Sequence, residues 1–388
     1  MPQSLIRRAR LFDFHARHLW KFHRLLVRRH LRKRCSKCAL SEACSALDER
    51  GHCAECRKAR PLNPAENAMA QEAQARLALE LEAVLRAHEG KGVGAHDALV
   101  MLSGGKDSAL LIHELQQRYP RLRILAFTIN NSFMSPIALR NCETIIEKCN
   151  VDHVTVTLAK SIYTKSFRFA CTHVEKGKGA FETVDRIDAD LGFSLAKIHA
   201  ARHRIPLLLS GLSWTQVERL FDVQSFEVPQ SQALKKVTHT LGQDLRNIYA
   251  PEELRYWWDP ECFDSSSWPR FLHPFYAWRY EEGTIREKVL KLGLIKPGRD
   301  SPLLTNNILI PMMIVVDYLR QGYASFEPEF ACMVREGKSE RIFWRNVFEM
   351  LEYSAKTGWM LDREIDRLAG SLGLSREAIG AVRGGVHE

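Results

Sequence analysis

The sequence predicts an α/β protein with a parallel β-sheet, preceded by a cysteine-rich segment and followed by a helical region. Three observations predict this class. The run from Leu99 to Leu102 is continuously apolar, which is typical of a strand buried on both faces of a parallel sheet. Similar strand-length runs alternate with helix-length segments as far as Leu209. Near the N-terminus, four cysteines form two C-x-x-C pairs.

The composition is that of an ordinary globular protein. The 388 residues are 45% hydrophobic and 26% charged, and this length holds one α/β domain with additions at either end. No apolar run reaches the roughly 18 residues that a transmembrane helix needs. Arginines interrupt the segment where a secretory signal would have its apolar core. We therefore expect a cytoplasmic protein.

Positive charge is concentrated in residues 1 to 34, which hold eleven Lys and Arg against the single acidic residue Asp13. We call this segment the basic arm. Between its arginines, apolar residues recur at roughly helical spacing: Leu5, Leu11, Phe12, Leu19, Phe22, Leu26 and Leu31. A basic amphipathic helix of this kind binds RNA or an anionic membrane surface, or docks on its own protein with its arginines in water. The sequence leaves all three interpretations open.

Residues 35 to 60 are predicted to form a zinc knuckle. Cys35 and Cys38 form the first C-x-x-C pair, Cys53 and Cys56 form the second, and fourteen residues lie between the pairs. This spacing can place four thiolates around one Zn²⁺ ion. Cys44 lies between the pairs and could replace one ligand. The alternative is that the thiols are redox-active or unligated.

Residues 61 to 95 are predicted to be a helical linker, and residues 96 to 219 to contain the sheet. The linker helix is expected from Ala68 to about Ala87. Strands are predicted at 99–102, 123–129, 152–158 and 205–209, and helices from 109 onward and at 136–149, 162–174 and 191–203. Ligands of such sheets bind at the carboxyl ends of the strands. Asn130, Asn131, Ser210, Gly211 and Trp214 follow predicted strands and are therefore candidates for binding.

The first strand and its helix are joined by Ser103-Gly104-Gly105-Lys106-Asp107-Ser108, which we call the 103–108 loop. Its two glycines permit a sharp turn and a close approach of the backbone to a ligand. Asp107 or Ser108 is placed to cap the following helix. A strand, a glycine turn and a helix N-terminus together direct backbone N–H groups at one point, which suits an anion such as phosphate. The spacing differs from the G-x-x-x-x-G-K-S/T nucleotide loop, and a turn that binds nothing is the alternative.

The 103–108 loop resembles the PP-loop of the ATP pyrophosphatase superfamily, whose signature is S-G-G-x-D-S. Ser103, Gly104, Gly105, Asp107 and Ser108 fill this signature. The resemblance implies an adenine nucleotide α-hydrolase-like fold and cleavage of ATP between its α and β phosphates. AMP is transferred to a substrate oxygen and is then displaced by a nucleophile. ATP and Mg²⁺ are expected at the loop, with the adenosine near Asn130, Asn131 and Gly211, and with Lys106 and Asp107 in catalytic roles.

A zinc knuckle ahead of a PP-loop domain is similar to the layout of two branches of the superfamily. These are the N-acetyl sugar amidotransferases of polysaccharide synthesis and the tRNA thiolation enzymes. The passage from Thr128 to Pro136, followed by Asn141, looks like the sugar amidotransferases. The thiolation enzymes have further cysteines, whereas Cys171 has no second cysteine beside it and Asn307 stands where a late cysteine would be expected. Cys171 remains a candidate nucleophile or sulfur carrier.

The resemblance thus implies an amidotransferase-like reaction on a small-molecule acceptor, for which a sugar is one candidate. Ammonia would come from a separate glutaminase subunit. One alternative is sulfur transfer from a sulfur donor to tRNA or a small molecule. The other is a non-catalytic nucleotide-binding or RNA-binding adaptor. Residues 220 to 300 contain aromatic loops that are expected to form a substrate pocket or lid. Residues 301 to 388 are expected to be helical.

Overall fold

The computed structural model describes residues 11–59, 64–174, 178–299, 307–359 and 361–382. Two compact units divide the chain. The first, which we call the terminal unit, comprises Met1–Pro61, Thr164–Asp188 and Asn307–Glu388. The second, the sheet unit, comprises Leu62–Tyr163 and Ala189–Asn306. Residues 164–188, which we predicted within the 96–219 domain, therefore group with the two ends of the chain.

The strands are β1 (Ala98–Met101), β2 (Ile124–Ile129), β3 (Asp152–Val156), β4 (Leu207–Leu209), β5 (His239–Thr240), β6 (Gln243–Asp244) and β7 (Arg270–Leu272). The α-helices are α1 (Trp20–Val27), α2 (Ala54–Lys58), α3 (Pro64–His88), α4 (Lys106–Arg118), α5 (Pro136–Cys149), α6 (Lys160–Thr172), α7 (Gly179–Arg202), α8 (Trp214–Phe221), α9 (Gln230–Ala233), α10 (Pro274–Trp278), α11 (Glu282–Lys291), α12 (Ile310–Gln321), α13 (Glu327–Arg335), α14 (Arg341–Thr357), α15 (Asp362–Ser371) and α16 (Arg376–Ile379). Short 3-10 turns lie at Arg28–His30, Leu245–Asn247, Pro251–Tyr256, Pro260–Cys262 and Ser265–Ser267.

The sheet unit is built on a five-stranded parallel sheet in the order β3-β2-β1-β4-β7. After β1, the chain moves outward through β2 and β3, and it returns on the other side of β1 with β4. The order of the strands therefore reverses beside β1, and the carboxyl ends of β1 and β4 lie side by side. In open parallel sheets this is where ligands bind. The predicted α/β class with a parallel sheet is confirmed.

Helices cover both faces of this sheet, which explains the continuous apolar run in β1. Val100 and Leu102 pack on one face with Leu81 of α3, whereas Leu99 packs on the other face with Phe193 of α7. Every residue of such a strand is buried, so the strand does not alternate between apolar and polar side chains. A Leu99→Ala change would leave a cavity and cost about 2–5 kcal/mol of stability.

Two element boundaries differ from the prediction in ways that affect the candidate site. Helix α4 begins at Lys106, not at Ala109, and its N-cap is Gly105. The predicted cap at Asp107 or Ser108 was wrong, because both residues already lie in the first turn of the helix. No side chain caps this end, so backbone N–H groups of the first turn can donate to an acceptor outside the loop. Helix α7 begins at Gly179, well before the predicted residue 191.

The described part of the terminal unit is helical apart from the cysteine segment, and a buried ion network joins its two ends. The Arg34 guanidinium, with only 3% of its side chain exposed, lies 2.7 Å from Glu327 and 3.1 Å from Glu352. Tyr318 Oη donates to Glu327 at 2.6 Å. The two carboxylates raise the pKa of Arg34 against the opposing effect of burial. Removing either partner alone would cost about 3–5 kcal/mol, since it leaves an unpaired buried charge.

Across the described residues, no helix has both the length and the apolar character needed to cross a membrane.

Candidate nucleotide site at the end of the central strand

Two glycines determine how the 103–108 loop packs. Gly104 has a φ of +74°, and a Cβ on it would lie 2.2 Å from the carbonyl oxygen of Ala138 in α5. A Cβ on Gly211, just after β4, would lie 3.0 Å from the backbone nitrogen of Ser108. Both neighbours are backbone atoms, which cannot rotate away as a side chain can. The loop is therefore held between the start of α5 and the segment after β4, in contact with Gly211 as expected for neighbouring strand ends.

Hydrogen bonds fix the loop from within. Ser108 Oγ donates to the carbonyl of Gly105 at 3.2 Å and lies 3.3 Å from the Oγ of Ser103. The amide of Asn141, fully buried on α5, donates to the carbonyl of Gly104 at 3.0 Å and to that of Arg299 at 3.2 Å. Asn141 belongs to the passage that resembles the sugar amidotransferases but was not among the predicted site residues. A polar residue on the buried face of a predicted helix was the signal for it.

Lys106 and Asp107 provide the charges at the start of α4. The Lys106 ammonium is 3.0 Å from the Asp107 carboxylate and 4.0 Å from Glu282 at the start of α11. The Lys106 side chain is 22% exposed and that of Asp107 38%, so solvent and ligands reach both. An ammonium and a helix N-terminus at one place favour a bound anion. Glu282 was not predicted as part of the site.

Asn130 and Asn131 lie at the carboxyl end of β2, next to β1 in the sheet. Asn130 Oδ1 accepts from the backbone N–H of Ser132 at 3.1 Å, and Asn131 Oδ1 accepts from that of Phe133 at 2.9 Å. Both side chains therefore stabilise the local turn. Each oxygen accepts one local hydrogen bond, and the role of both residues toward adenosine stays a prediction.

A buried pair joins the ends of β4 and β7 beside Gly211. Ser210 Oγ lies 2.7 Å from His273 Nδ1, and His273 is fully buried and stacked on Phe221. Burial, together with the positive charge of Lys197, lowers the pKa of His273 from 6.5 to about 3. The imidazole is therefore neutral at physiological pH. Sequence reasoning missed this pair, because its partners are 63 residues apart.

The four predicted metal ligands come together in the terminal unit. The Sγ atoms of Cys35, Cys38, Cys53 and Cys56 all lie within 4.8 Å of one another, and all four residues are buried. The Cys35–Cys56 and Cys38–Cys53 sulfur pairs are each 3.6 Å apart. A tetrahedron with metal–sulfur bonds of about 2.3 Å has sulfurs about 3.8 Å apart, so the four thiols fit one metal ion. In the described ranges this is the one group of three or more Cys, His, Asp or Glu residues with such spacing.

Two neighbouring groups complete the description of this cluster. The Arg335 guanidinium donates to Cys38 Sγ at 3.5 Å. Cys44, the spare cysteine, is outside the cluster. Burial, with Glu327 nearby, raises the pKa of the Cys44 thiol to about 11, so it is a neutral thiol at physiological pH.

Cys171 lies in α6 and belongs to the terminal unit, whereas the 103–108 loop belongs to the sheet unit. Its side chain is 4% exposed, and burial raises the pKa of its thiol to about 12. A reactive cysteine usually needs an exposed thiolate, and Cys171 has neither property in this conformation. Its role as nucleophile or sulfur carrier stays a prediction. The segment around Asn307 that was compared with the thiolation enzymes lies mostly outside the described residues.

No protein-family model matches the sequence, and no curated protein matches it. Among solved structures, the chain is similar to NMN synthetase from Francisella tularensis, with 12% identity over 74% of this chain and 97% of that chain and a TM-score of 0.38. It is also similar to the U34-tRNA thiolase NcsA from Methanococcus maripaludis with its 4Fe–4S cluster, with 12% identity, coverage of 91% and 100%, and a TM-score of 0.34. A third is the NH3-dependent NAD synthetase from Campylobacter jejuni subsp. jejuni in complex with nitrate, with 11% identity, coverage of 74% and 98%, and a TM-score of 0.33.

These identities and TM-scores are too low to assign a function, which must come from the residues of this chain. The S-G-G-K-D-S sequence spans the turn after the central strand of a parallel sheet and the first residues of α4, whose start no side chain caps. The order of the strands reverses beside it. The sequence that resembles the PP-loop signature therefore lies at the carboxyl end of the central strand, in a strand-turn-helix setting.

Proposed function

We propose that this protein is an ATP-dependent enzyme that adenylylates an oxygen of a small acceptor and releases pyrophosphate. The 103–108 loop carries the proposal. It combines Gly104, where a Cβ would clash with the backbone of Ala138, with an uncapped helix N-terminus and an accessible ammonium at the carboxyl end of the central strand. These features suit a polyphosphate, because they provide directed N–H donors and positive charge without a competing side-chain cap.

The roles of the residues follow from where charge develops. The acceptor oxygen forms a bond to the α-phosphorus of ATP, and the bond from that phosphorus to the bridging oxygen breaks. Pyrophosphate leaves with the electron pair. The backbone N–H groups at the start of α4 and the Lys106 ammonium stabilise the negative charge that builds on this leaving group.

Asp107 is the carboxylate beside these phosphates. Carboxylate oxygens are ligands that Mg²⁺ prefers, and the partial exposure of Asp107 leaves its oxygens open to the Mg²⁺ that accompanies ATP. Bound Mg²⁺ supplies charge neutralisation at the phosphates. In the structure Asp107 contacts Lys106, so phosphate binding would draw the ammonium away and release the carboxylate.

We propose nitrogen transfer as the second half-reaction, with a sugar derivative as the acceptor. Ammonia attacks the carbon that bears the activated oxygen, and AMP leaves with that oxygen. Two observations favour ammonia over a sulfur donor. Cys171 is buried as a neutral thiol, and among the described residues it belongs to no cluster of three or more metal-binding side chains. A separate glutaminase subunit would supply the ammonia, since no glutaminase segment is recognisable in the chain.

We propose that the cysteine cluster holds one Zn²⁺ ion with a structural role. Structural zinc sites are closed by four protein ligands, and four buried sulfurs at a single-ion spacing meet that condition. A polynuclear iron–sulfur cluster places several metal ions between its thiolates and would hold the sulfurs farther apart. Elemental analysis of purified protein should therefore find about one zinc per chain.

The test of the nucleotide chemistry combines product analysis with two variants and a matched control. Lys106→Ala and Asp107→Ala should each slow AMP formation about a hundredfold or more, as loss of a positioned electrostatic group does. Lys291→Ala removes an exposed lysine at the end of α11 and should leave the rate unchanged. Candidate acceptors should be offered with ammonia and, separately, with sulfide. Turnover only with sulfide, or iron in the cysteine site, would favour sulfur transfer.

A further inference from the structure

The described part of the basic arm, residues 11 to 34, has an apolar face that the other described residues leave exposed. The described part of the arm is helical over 11–30, including a π-helical turn at His15–Leu19. Six of its large apolar side chains are 43–81% exposed: Leu11, Phe14, Leu19, Phe22, Leu25 and Leu26. These are half of the twelve exposed large apolar side chains in the described residues. A concentration of this kind on one helix marks an interaction surface.

The opposite face of the arm is already docked on α14 within the terminal unit. Trp20 is fully buried and its indole N–H donates to Glu349 at 2.9 Å. Arg24 lies 2.8 Å from the same carboxylate, and the Asn346 amide donates to the carbonyl of Ala16 at 2.7 Å. Docking on its own protein, one of the three interpretations of the arm, therefore accounts for the inner face alone.

The charges of the arm divide in the same way. Arg24 and Arg34 on the docked side pair with glutamates. Four further cations are exposed and form no ion pair with an acidic side chain anywhere in the part of the chain that the structure describes: Lys21, Arg28, Arg29 and Lys33. The uncovered apolar face is therefore accompanied by unpaired positive charge.

This combination identifies the occupant. An RNA backbone would satisfy the cations but leave six leucine and phenylalanine side chains in water. A second copy of the arm would cover the apolar face but bring like charges together. The surface of an anionic bilayer satisfies both, because the apolar side chains enter the headgroup and acyl boundary while the cations contact lipid phosphates and carboxylates. We propose that the basic arm binds the protein peripherally to membranes that contain anionic lipid.

The experiment uses the full-length protein and vesicle flotation. Vesicles of phosphatidylcholine with about one quarter phosphatidylserine should bind the wild type, and pure phosphatidylcholine vesicles should bind it at least about tenfold more weakly, since the negative surface potential is absent. Raising the salt concentration should weaken binding to the anionic vesicles.

Two sets of variants separate the apolar and the charged contributions. Leu25→Ser with Leu26→Ser should lower binding at least about tenfold. The two leucines are 70% and 81% exposed in the unbound protein, so the changes remove apolar area that is buried only in the bound state. Met69→Ser with Leu79→Ser, at equally exposed positions of α3, is the control and should leave binding unchanged. Lys21→Gln with Arg28→Gln and Arg29→Gln should weaken binding to anionic vesicles.

The outcomes decide between the three occupants. Absence of vesicle binding, or binding that the Leu25 and Leu26 changes leave intact, would overturn the proposal. Arm-dependent, salt-sensitive binding of bulk tRNA without vesicle binding would assign the surface to RNA. Concentration-dependent self-association that the leucine changes abolish would assign it to a second copy. Thermal unfolding of each variant, expected to be unchanged at these exposed sites, excludes a folding defect.

Discussion

Replacing Gly104 by alanine tests the geometry of the 103–108 loop at its most constrained point. Two costs are expected. The φ of +74° lies in the left-handed region, where an alanine costs about 1 kcal/mol more than glycine. In addition, the new Cβ would lie 2.2, 2.7 and 2.9 Å from the carbonyl oxygen, carbonyl carbon and Cα of Ala138. Normal contact then requires the loop and α5 to separate by about 1 Å.

Gly242 provides a matched control for the first cost. Its φ is +70°, but a Cβ there would meet no atom within 4 Å. Gly242→Ala should therefore lower the free energy of unfolding by about 1 kcal/mol and leave catalysis unchanged. Gly104→Ala has this cost and also displaces the 103–108 loop from α5. A misplacement of about 1 Å in a catalytic site can lower the rate about a hundredfold.

The assay measures kcat/KM for AMP formation and the urea unfolding of both variants. We expect AMP formation to fall about a hundredfold in Gly104→Ala and to be unaffected in Gly242→Ala. The free energy of unfolding should fall further in Gly104→Ala than in the control. If both variants had wild-type activity while both were folded, the close packing of Gly104 would have no part in nucleotide binding, and the site assignment would be refuted.

Two further predictions concern metal and pH. Cys56→Ser should lose the bound metal and loosen the terminal unit. Cys44→Ser should keep the metal, because Cys44 is outside the cluster. Metal retained in Cys56→Ser would contradict this assignment. Because the pKa of His273 is lowered from 6.5 to about 3, the unfolded state takes up a proton below pH 6.5 that the folded state does not. Stability should therefore fall as the pH falls, by about 1.4 kcal/mol from this residue between about pH 7.5 and pH 5.5. His273→Gln should reduce that loss in urea titrations, and an unchanged pH dependence would contradict the assignment.

The parts of the site that the sequence could predict are those made by neighbouring residues. The apolar run of β1, the two glycines and Lys106 follow one another in the chain, and the two cysteine pairs carry their own spacing. The start of α4 was misplaced because Asp107 and Ser108 are good capping residues in general. Here Gly105 is the N-cap, so the helix already begins at Lys106.

The remaining features depend on contacts between distant residues. Asn141 reaches the loop from α5, 37 residues away, and His273 reaches Ser210 from the position directly after β7. The arm docks through Glu349, more than 300 residues from Trp20 in the chain. Periodicity identified the arm as amphipathic, but only the folded terminal unit separates the apolar residues that are covered from those that are exposed. The burial of Cys171 likewise depends on the packing around α6.

The identity of the nucleotide products tests the central claim most directly. Incubation with Mg²⁺, ATP labelled at the α-phosphate, ammonia and an accepted substrate should place the label in AMP, with pyrophosphate as the second product. Loss of this product in Lys106→Ala, but not in Lys291→Ala, would tie it to the 103–108 loop. Label recovered in ADP, with release of inorganic phosphate, would mean cleavage between the β and γ phosphates and would contradict the account.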